Sequence, residues 1–359
     1  MSEIIRTTVA DLVRYFDSGL DHLIVSASYE QRAFSIWREL HRRAIPYGVR
    51  NRFVCFNENH RTYLSDAVSE FQNCGYGAEL VRLNSDQPRQ TFVELERVFS
   101  RISAKPRRFV SRSSAFRRET AGNGADRVAI DITGFTREAL AMLIYLAEHR
   151  LSDRMKLYAL YHRAQAYSAS RVGGWLSQGV REIRNVIGYS GSVQLGGETH
   201  LILLPGLEFH RARHIIDAVR PKQIWLGHAE IGGPSTAAFD QSVDRFGQRI
   251  EALYGGLSCE HFAFSPMDPF ITRDNLLNVA QRLGTNIVCA CLNAKPAMIG
   301  ACLAALQLPK IQLIYAQPIY YNTVDYSQPS GNVVMFQIPL RQNRATPQLS
   351  QGLATALVS

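Results

Sequence analysis

The segment best suited to do chemistry is Asp131-Ile-Thr-Gly-Phe-Thr-Arg137, which leaves an apolar run and enters a helix-forming one. Gly134 permits a tight turn, and Thr133 and Thr136 offer hydroxyl groups beside the predicted helix N-terminus. Arg137 can contact an anion there, because a guanidinium matches the geometry of phosphate oxygens. The segment therefore predicts a site for a phosphate or another anionic group. The alternative is that Thr136 or Asp131 only caps the helix, and that Gly134 only serves the turn.

A second turn later in the chain resembles the first. It reads Cys291-Leu-Asn-Ala-Lys-Pro296, with Asn293 and Lys295 at the predicted helix start and Pro296 at a favourable first helical position. Both turns are expected to hold phosphates. Tyrosines that follow later strands would supply surfaces on which a base can stack.

Charged pairs recur after two other predicted strands. Glu30 and Arg32 lie in the first half of the chain, and Glu208 and Arg211 lie in the second. Either each pair forms an internal ion pair, or the arginines face an anionic ligand while the glutamates orient them. The residues predicted to bind a ligand are Arg32, Thr133, Gly134, Thr136, Arg137, Tyr161, Tyr167, Arg211, Asn293, Lys295 and Tyr315. If the site is catalytic, Glu30, Asp131 and Glu208 are the candidates for a general base.

Histidines offer a weaker signal. His210 and His214 stand four residues apart on a predicted helix, and His228 follows a nearby strand. Metals use such geometry, but the helix lacks the glutamate of the zinc-protease motif H-E-x-x-H. We predict surface or capping histidines and neither a metal site nor a cofactor, although a nucleotide ligand would fit the phosphate pattern.

The elements that position these residues are short β-branched runs alternating with longer amphipathic segments. This alternation predicts an α/β fold with open parallel sheets, in which ligands bind at the carboxyl ends of the strands. The predicted strands are His22–Ser26, Arg52–Phe56, Ala78–Leu83, Val128–Ile132, Lys156–Tyr161, Leu201–Leu204, Gln223–Leu226, Cys259–Phe264, Asn286–Leu292 and Ile311–Tyr315.

The two halves of this series agree at four strand ends in the same order, which indicates an internal duplication. One agreement places Asp86 opposite Asp268. We predict duplicated Rossmann-like parallel sheets with helices on both faces. The expected organisation is a first lobe at 1–167 with a basic insert at 104–126, a connecting segment at 168–198, a second lobe at 199–340 and a flexible tail at 341–359.

The turn at Asp131 to Arg137 resembles the [D/N]-x-[S/T]-G-G-[S/T]-K signature of CARF domains, the CRISPR-associated Rossmann-fold sensors of cyclic oligoadenylates. Asp131, Thr133, Gly134 and Thr136 match, whereas Phe135 replaces the second glycine and Arg137 the lysine. The resemblance implies that this turn contacts a nucleotide and that the setting is bacterial antiviral defence. It also implies a stand-alone sensor, or a subunit that signals to a separate effector protein.

The basic charge of the chain is concentrated in one segment. The net charge is +9, and residues 101–118 hold seven cations and no acid. Arginines between serines and phenylalanines suit nucleic-acid phosphates, with Phe109 and Phe116 able to stack on bases. Alternatives are a solvated loop and a docking site for an acidic partner. The arginines predicted to bind nucleic acid are Arg107, Arg108, Arg112, Arg117 and Arg118.

Composition and absent motifs exclude several classes of protein. With 359 residues and 46% hydrophobic residues, the chain can bury the cores of about two domains. The N-terminus lacks the apolar run of a secretory signal, and the longest apolar stretch is too short to span a bilayer, so we expect a cytoplasmic protein without a membrane partner. No P-loop, dinucleotide fingerprint or nucleophile elbow occurs, which disfavours ATPases, NAD-dependent dehydrogenases and α/β-hydrolases.

The leading hypothesis is a nucleotide-binding or nucleotide-sensing protein whose two lobes form one cleft. The first alternative is a phosphodiesterase or hydrolase that acts on a nucleotide or sugar phosphate. The second is a nucleic-acid-binding subunit of a larger complex.

Overall fold

The computed structural model describes residues 4–16, 19–42, 49–60, 69, 77–104, 125–170, 174–230 and 237–340. Within these ranges the chain is α/β, and all ten predicted strands form. Its strands are β1 (Ile4–Thr8), β2 (His22–Ala27), β3 (Asn51–Asn57), β4 (Glu79–Leu83), β5 (Arg127–Asp131), β6 (Lys156–Tyr167), β7 (Ser177–Gln178), β8 (Glu182–Ser190), β9 (His200–Leu204), β10 (Gln223–Ala229), β11 (Ser258–Phe264), β12 (Ile287–Cys291), β13 (Ile311–Gln317), β14 (Tyr320–Tyr321) and β15 (Ser327–Ile338).

Helices follow most of the parallel strands. They are α1 (Val9–Arg14), α2 (Ser35–Arg42), α3 (Pro88–Ser103), α4 (Arg137–Arg150), α5 (Phe209–Val219), α6 (Ala237–Leu253), α7 (Pro269–Arg282) and α8 (Lys295–Gln307). None of these described helices is long and apolar enough to cross a membrane.

The two large sheets repeat one strand order, which confirms the predicted fold class. The first sheet runs β1-β15-β6-β5-β2-β3-β4 and the second runs β11-β10-β9-β12-β13-β8. In each, the parallel strands stand in the order fifth, fourth, first, second and third along their half of the chain. Each half is therefore a Rossmann-like unit, called here the first and the second lobe.

Helices cover both faces of each sheet, as predicted. In the first lobe, α1 and α2 pack on one face, with Leu12 and Trp37 buried against Val25. The opposite face of the first sheet and one face of the second sheet pack against a shared core of four helices, which are α3, α4, α7 and α8. The helices α4 and α8 pack against each other at its centre. Ten of the 13 residues of α8 are buried, because this helix is apolar on every side.

The last strand of each lobe is exchanged between the lobes. β8 follows the first lobe in the chain but pairs antiparallel with β13 of the second. β15 follows the second lobe but lies between β6 and β1 in the first sheet. The short strands β7 and β14, which lead into the exchanged strands, pair with each other.

This exchange changes the expected boundaries. Residues 182–190 lie in the predicted connecting segment but form an edge of the second sheet. Residues 327–338 lie in the predicted second lobe but complete the first sheet. The sequence pattern misplaces both segments because alternation identifies a strand without identifying its partner, and an antiparallel edge strand can pair with either sheet.

Candidate ligand-binding site

A cavity of about 510 Å³ lies between the lobes, at the carboxyl ends of the parallel strands. Its wall includes the ends of β2 and β6, the turn before α4, and the corresponding turn of the second lobe before α8. Binding pockets for small molecules fall in this range of volume and at this position in open α/β sheets. We call this space the interlobe cavity.

One side of the interlobe cavity is built around a buried ion pair. The Arg32 guanidinium lies 2.6 Å from the Glu30 carboxylate, and both side chains are almost fully buried. Arg32 also donates hydrogen bonds to the carbonyl of His162 at 2.8 Å and to the hydroxyl of Tyr161 at 3.2 Å. Ser327, from the exchanged strand β15, donates to Glu30 at 2.9 Å. We call Glu30, Arg32, Tyr161, Tyr167 and Ser327 the Glu30 cluster.

The electrostatics of this cluster favour an ionised carboxylate. Burial alone would raise the pKa of Glu30, but Arg32 and Lys295 outweigh it and lower this pKa to about 2. Burial would likewise raise the pKa of the Tyr161 hydroxyl, but the same two cations lower it below its ordinary value. Glu30 is therefore charged at neutral pH and has little capacity to act as a general base.

The second lobe repeats the cluster with the same residue types. Arg211 lies 2.6 Å from Glu208, and Ser177, from β7, donates a hydrogen bond to the Glu208 carboxylate. The hydroxyls of Tyr315 and Tyr321 are 2.8 Å apart, as those of Tyr161 and Tyr167 are 3.2 Å apart in the first lobe. Glu208, Arg211, Tyr315, Tyr321 and Ser177 form the Glu208 cluster. The internal ion pair, one of the two readings of the sequence, is thus present in both lobes.

Two cations cross between the lobes. Arg137 of the first lobe donates hydrogen bonds of 2.8 Å to the carbonyls of Leu292 and Asn293 in the second. It also lies 3.7 Å from Glu208. Lys295 of the second lobe donates to the carbonyl of Thr133 in the first and lies 3.4 Å from Glu30. Each lobe therefore places one cation beside the buried carboxylate of the other.

Most of the residues predicted to bind a ligand meet at the interlobe cavity. The predicted residues that line it are Arg32, Gly134, Thr136, Arg137, Tyr161, Tyr167, Asn293, Lys295 and Tyr315. Thr133 and Arg211 are fully buried and lie behind its wall. Of the candidate bases, Glu30 lines the cavity, whereas Asp131 and Glu208 do not.

The turn before α4 combines capping with a tight backbone approach. Thr136 is the N-cap of α4 and accepts a hydrogen bond from the Ala139 amide at 3.2 Å. A Cβ on Gly134 would lie 2.7 Å from the carbonyl oxygen of Ser26, so no larger residue fits there without a shift. The capping role proposed as an alternative is present, and it coexists with a place on the cavity wall.

Asp131 is buried beneath this turn. One carboxylate oxygen accepts a hydrogen bond from the Thr133 amide at 3.0 Å, and the other has no partner among the described residues. Burial raises the pKa of Asp131 to about 6. The second lobe has Cys291 at the end of the equivalent strand, and burial raises the pKa of that thiol to about 11. The two lobes therefore differ in the charge of the residue at the end of this strand, a carboxyl group in the first lobe and a thiol in the second.

Arg163 was not among the predicted site residues, yet it lines the cavity together with Ser330 and Gly331. Through its guanidinium, Arg163 makes no hydrogen bond or ion pair with the residues that the structure describes. The signal that would have identified it is strand alternation, because residues 161 and 163 share one face of β6 before the irregular pairing at Ala164 and Ala166. The predicted strand ended at Tyr161 and so excluded Arg163.

Three tyrosines line the cavity besides the three that were predicted to bind a ligand. The ring of Tyr29 lies 5.6 Å from that of Tyr326 and 6.1 Å from that of Tyr321. Together with Tyr161, Tyr167 and Tyr315 they give the cavity six tyrosines. Tyr326 comes from the segment before the exchanged strand β15, so only the folded chain brings it to the first lobe.

A second polar network borders the cavity. Arg184, on the exchanged strand β8, binds Glu138 of α4 through two hydrogen bonds of 2.8 and 2.7 Å. It also donates to the carbonyl of Ser85 at 2.7 Å and to the side chain of Gln317 at 2.6 Å. This network joins the first lobe to the edge of the second sheet.

One of the predicted strand-end agreements is wrong. The helices α3 and α7 begin at Pro88 and Pro269, so the residue equivalent to Asp268 is Gln87 and not Asp86. Asp268 caps α7 by accepting hydrogen bonds from two helix amides, at 2.9 and 3.1 Å. Asp86 instead accepts from Gln317 at 2.6 Å. The prolines fix the register that the acidic residues suggested incorrectly.

The remaining residues that were predicted to be functional lie away from the cavity or outside the described residues. His210 and His214 belong to α5, and His228 lies on β10. Among the described residues these three histidines do not form a group that could share a metal ion. The predicted nucleic-acid-binding arginines, from Arg107 to Arg118, and the tail at 341–359 lie outside the described residues.

The strand order and the shared cavity define a class of protein: two Rossmann-like α/β lobes with one site between them. No family model matches the chain, and no curated protein matches its sequence. Among solved structures, the chain is similar to a ketoreductase domain from the bacillaene assembly line. That similarity has 9% sequence identity and a TM-score of 0.20, over 86% of this chain and 70% of the other.

Proposed function

We propose that this protein binds a small anionic ligand of the nucleotide class in the interlobe cavity and acts as a sensor of that ligand. The observation that carries the proposal is the chemistry of the cavity wall. Four cationic side chains line it, Arg32, Arg137, Arg163 and Lys295, against the carboxylates of Glu30 and Glu138. Cations suit phosphate groups, and the partly exposed rings among the six tyrosines offer aromatic surface to a base. These partly exposed rings are those of Tyr29, Tyr167, Tyr321 and Tyr326.

Arg163 is the side chain best placed to contact a phosphate. Arg32 and Lys295 are close to Glu30, and Arg137 donates to two carbonyls of the second lobe. The Arg163 side chain has no such described partner, and Ser330, Gly331 and Asn332 line the cavity with it. A guanidinium that no described residue engages can contact a phosphate through two parallel N–H groups.

Binding is better supported than catalysis. Glu30 is engaged by Arg32 and Ser327, and Glu138 is held by Arg184. Asp131 has a pKa near 6 but does not line the cavity. Among the described residues on the wall, both carboxylates are thus occupied by cations, and a general base needs access to the proton that it removes.

The crossing cations support a sensing role. Arg137 and Lys295 both join the lobes and line the cavity. A ligand anion that takes hydrogen bonds from them would compete with carbonyls of the opposite lobe. Ligand binding would then change the contacts between the lobes, and such a difference in contacts is what lets a ligand shift a conformational equilibrium.

The resemblance of the turn at Asp131 to CARF domains supplies the first ligands to test. We propose cyclic oligoadenylates as one candidate class, a role in bacterial antiviral defence as the setting, and a separate effector protein as the partner. These proposals rest on that resemblance, and the cavity chemistry supports only the broader class of anionic, base-containing ligands.

The direct test is to incubate the full chain with cyclic oligoadenylates, linear dinucleotides, mononucleotides and inorganic phosphate. Binding is measured by isothermal titration calorimetry, and recovered ligands are analysed by mass spectrometry. Saturable binding of an intact nucleotide is the expected result. Recovery of cleaved product would establish the hydrolase alternative, and no binding of any nucleotide would overturn the proposal.

Arg163→Ala gives the sharpest variant test. Because the Arg163 side chain has no described partner in the fold, its truncation should weaken nucleotide binding at least about tenfold and leave the melting temperature unchanged. Lys222→Ala is the control, since Lys222 is exposed in a surface ion pair with Glu198. Equal affinity in the two variants would exclude Arg163 from the site.

Nucleic-acid binding remains a second candidate because seven cations and no acid occupy residues 101–118. Deletion of residues 105–120 should abolish salt-sensitive binding of RNA or DNA. Unchanged nucleic-acid binding after the deletion would remove this role, and the affinity for the small ligand serves as the control for folding.

A further inference from the structure

A group of metal-ligating side chains lies on the second lobe, away from the interlobe cavity. Cys259 and His261 are two residues apart on the edge strand β11 and therefore point to the same face of the sheet. Glu251 comes from the last turn of α6, which covers that face. The sulfur of Cys259, a ring nitrogen of His261 and a carboxylate oxygen of Glu251 lie within 4.8 Å of one another.

His261 is held at both ring nitrogens. Its Nε2 lies 2.8 Å from an oxygen of Glu251. Its Nδ1 lies 2.5 Å from Nε2 of His228, on the neighbouring strand β10, and the two rings are 4.6 Å apart. One nitrogen of His261 thus faces the carboxylate, while the other has a hydrogen-bond partner behind it.

We propose that Cys259, His261 and Glu251 bind a divalent transition metal ion of the zinc class. A thiolate, an imidazole and a carboxylate are the three donor types that zinc takes in proteins, and water would complete a tetrahedral shell. Bonds of about 2.0–2.3 Å set neighbouring donor atoms about 3.3–3.8 Å apart. The Cys259 sulfur therefore needs to come closer to the other donors by at most about an ångström. The nitrogen of His261 and the oxygen of Glu251, 2.8 Å apart, need to move slightly apart, which their half-exposed side chains can do by small rotations.

His228 acts as a positioning residue in this site. With the metal on Nε2, His261 carries its proton on Nδ1 and donates it to Nε2 of His228. A ligating histidine almost always donates its second ring N–H to an acceptor, which fixes the tautomer and the ring orientation. The contact between the two tilted rings is present without a metal, with Nε2 of His261 donating to Glu251 and Nδ1 accepting from His228. Metal binding at Nε2 would shift the proton of His261 to Nδ1 and reverse the hydrogen bond to His228.

The site would tie the end of α6 to the edge strand. The strand β11 has a neighbour on one side only, so its outer hydrogen-bonding groups are unpaired within the sheet. A metal that bridges helix and strand would hold both in place, and binding to the folded state alone raises stability with the logarithm of the metal concentration once the site is saturated.

The test uses the full chain with Cys74→Ser, because Cys74 lies outside the described residues and offers a competing thiol. Zn²⁺ is titrated in the presence of a chromogenic chelator, and Co²⁺ is added in parallel to report thiolate ligation by its charge-transfer absorption. One equivalent of tightly bound Zn²⁺ and a thiolate band are expected. Cys259→Ser and Glu251→Gln should weaken Zn²⁺ binding, and Cys259→Ser should also remove the band.

Glu260→Gln is the matched control, because Glu260 is exposed on the opposite face of the same strand. It should bind Zn²⁺ as the parent does. Substoichiometric Zn²⁺, a missing thiolate band, or equal binding by Cys259→Ser would overturn the site. Circular dichroism shows whether Cys259→Ser is folded, and Glu251→Gln decides the question if it is not.

His228→Gln tests the positioning role separately. Loss of an outer hydrogen-bond partner typically weakens metal binding by about 10–100-fold. The variant should keep the thiolate band of bound Co²⁺ and the melting temperature of the metal-free protein. Unchanged Zn²⁺ affinity would remove His228 from the site.

Discussion

The two lobes carry the same cluster of glutamate, arginine, two tyrosines and serine, but only one of the two carboxylates faces the interlobe cavity. Glu30 lies on the wall, whereas Glu208 is not among the residues that line the cavity. Two residues after the first tyrosine, the first lobe has Arg163, whose side chain has no described partner. The second has Gln317, which is buried and bonded to Arg184 and Asp86. The residues shared by both clusters therefore hold the two lobes together. Residues present in one lobe only, such as Arg163, make the two sides of the cavity different.

Removing each buried carboxylate in turn should give the largest difference in stability between the two clusters. Glu208→Ala leaves Arg211 as a buried charge without its partner, which should lower the free energy of unfolding by about 3–5 kcal/mol. Glu30→Ala should have a smaller effect, because an anion or water in the cavity can reach Arg32 and Lys295. Chemical denaturation measures both values.

Added phosphate separates the two variants further. It should raise the melting temperature of Glu30→Ala more than that of Glu208→Ala, because only the first vacancy is open to the cavity. Equal losses of stability and equal responses to phosphate would mean that the two clusters do not differ in access.

A second difference between the lobes is Asp131, which stands where the second lobe has Cys291. The pKa of Asp131 is about 6 in the folded chain against about 3.8 when unfolded. A raised carboxyl pKa means that the folded state loses stability as pH rises from about 3.8 to 6, by about 3 kcal/mol in all. Asp131→Asn should abolish this loss and keep the hydrogen bond from the Thr133 amide.

The measurement is the free energy of unfolding of both proteins between pH 4 and 7. Asp274→Asn, at an exposed position on α7, is the control and should follow the parent. A parent whose stability rises over this range relative to Asp131→Asn would contradict the assigned direction.

Two turn glycines, Gly134 before α4 and Gly284 after α7, differ in how closely the backbone approaches its surroundings. Gly134→Ala would place a Cβ 2.7 Å from the Ser26 carbonyl, so we expect a loss of about 1–3 kcal/mol. Gly284→Ala, where an added Cβ meets nothing within 4 Å, should be neutral or slightly stabilising. Thermal unfolding compares the two, and equal stabilities would show that the turn at Gly134 can relax.

The smallest expected difference concerns the helix caps. Thr136 caps α4 through its side chain, whereas Ala294 gives α8 no side-chain cap. Thr136→Ala should lower the free energy of unfolding by about 1 kcal/mol, and Ala294→Ser should raise it by a similar or smaller amount. Denaturant titration checks both signs. Two losses would mean that α8 begins in a geometry that a serine cannot cap.

The fold was largely predictable because local pattern reveals parallel strands. Most of the predicted strands were runs of four to seven mainly apolar residues, many of them β-branched, and buried strands such as β12 show this pattern strongly. The exchange of β8 and β15 was not predictable, because a strand's own sequence does not record which sheet it joins. The strands β1 and β14 were not predicted, because both are short and partly exposed and so give a weak pattern.

The site was predictable in its residue types and less so in its contacts. The pairing of Glu30 with Arg32 was one of two readings that the sequence left open, since spacing alone does not decide between an ion pair and a ligand contact. The crossing of Arg137 and Lys295 depends on the approach of two lobes, which no local pattern describes. Arg163 was missed because β6 extends six residues beyond its apolar part.

The exchanged strand β15 has a consequence for how the chain reaches its folded state during synthesis. In the first sheet, residues 327–338 lie between β6 and β1. The strand β1 can therefore pair only after residues that are synthesised more than 300 positions later. Long-range pairing of this kind slows folding and leaves sheet edges open to other chains in the meantime. We therefore expect chaperones to bind the first lobe while the chain is being synthesised. A ribosome-bound chain that stops before residue 327 should remain sensitive to protease in that lobe.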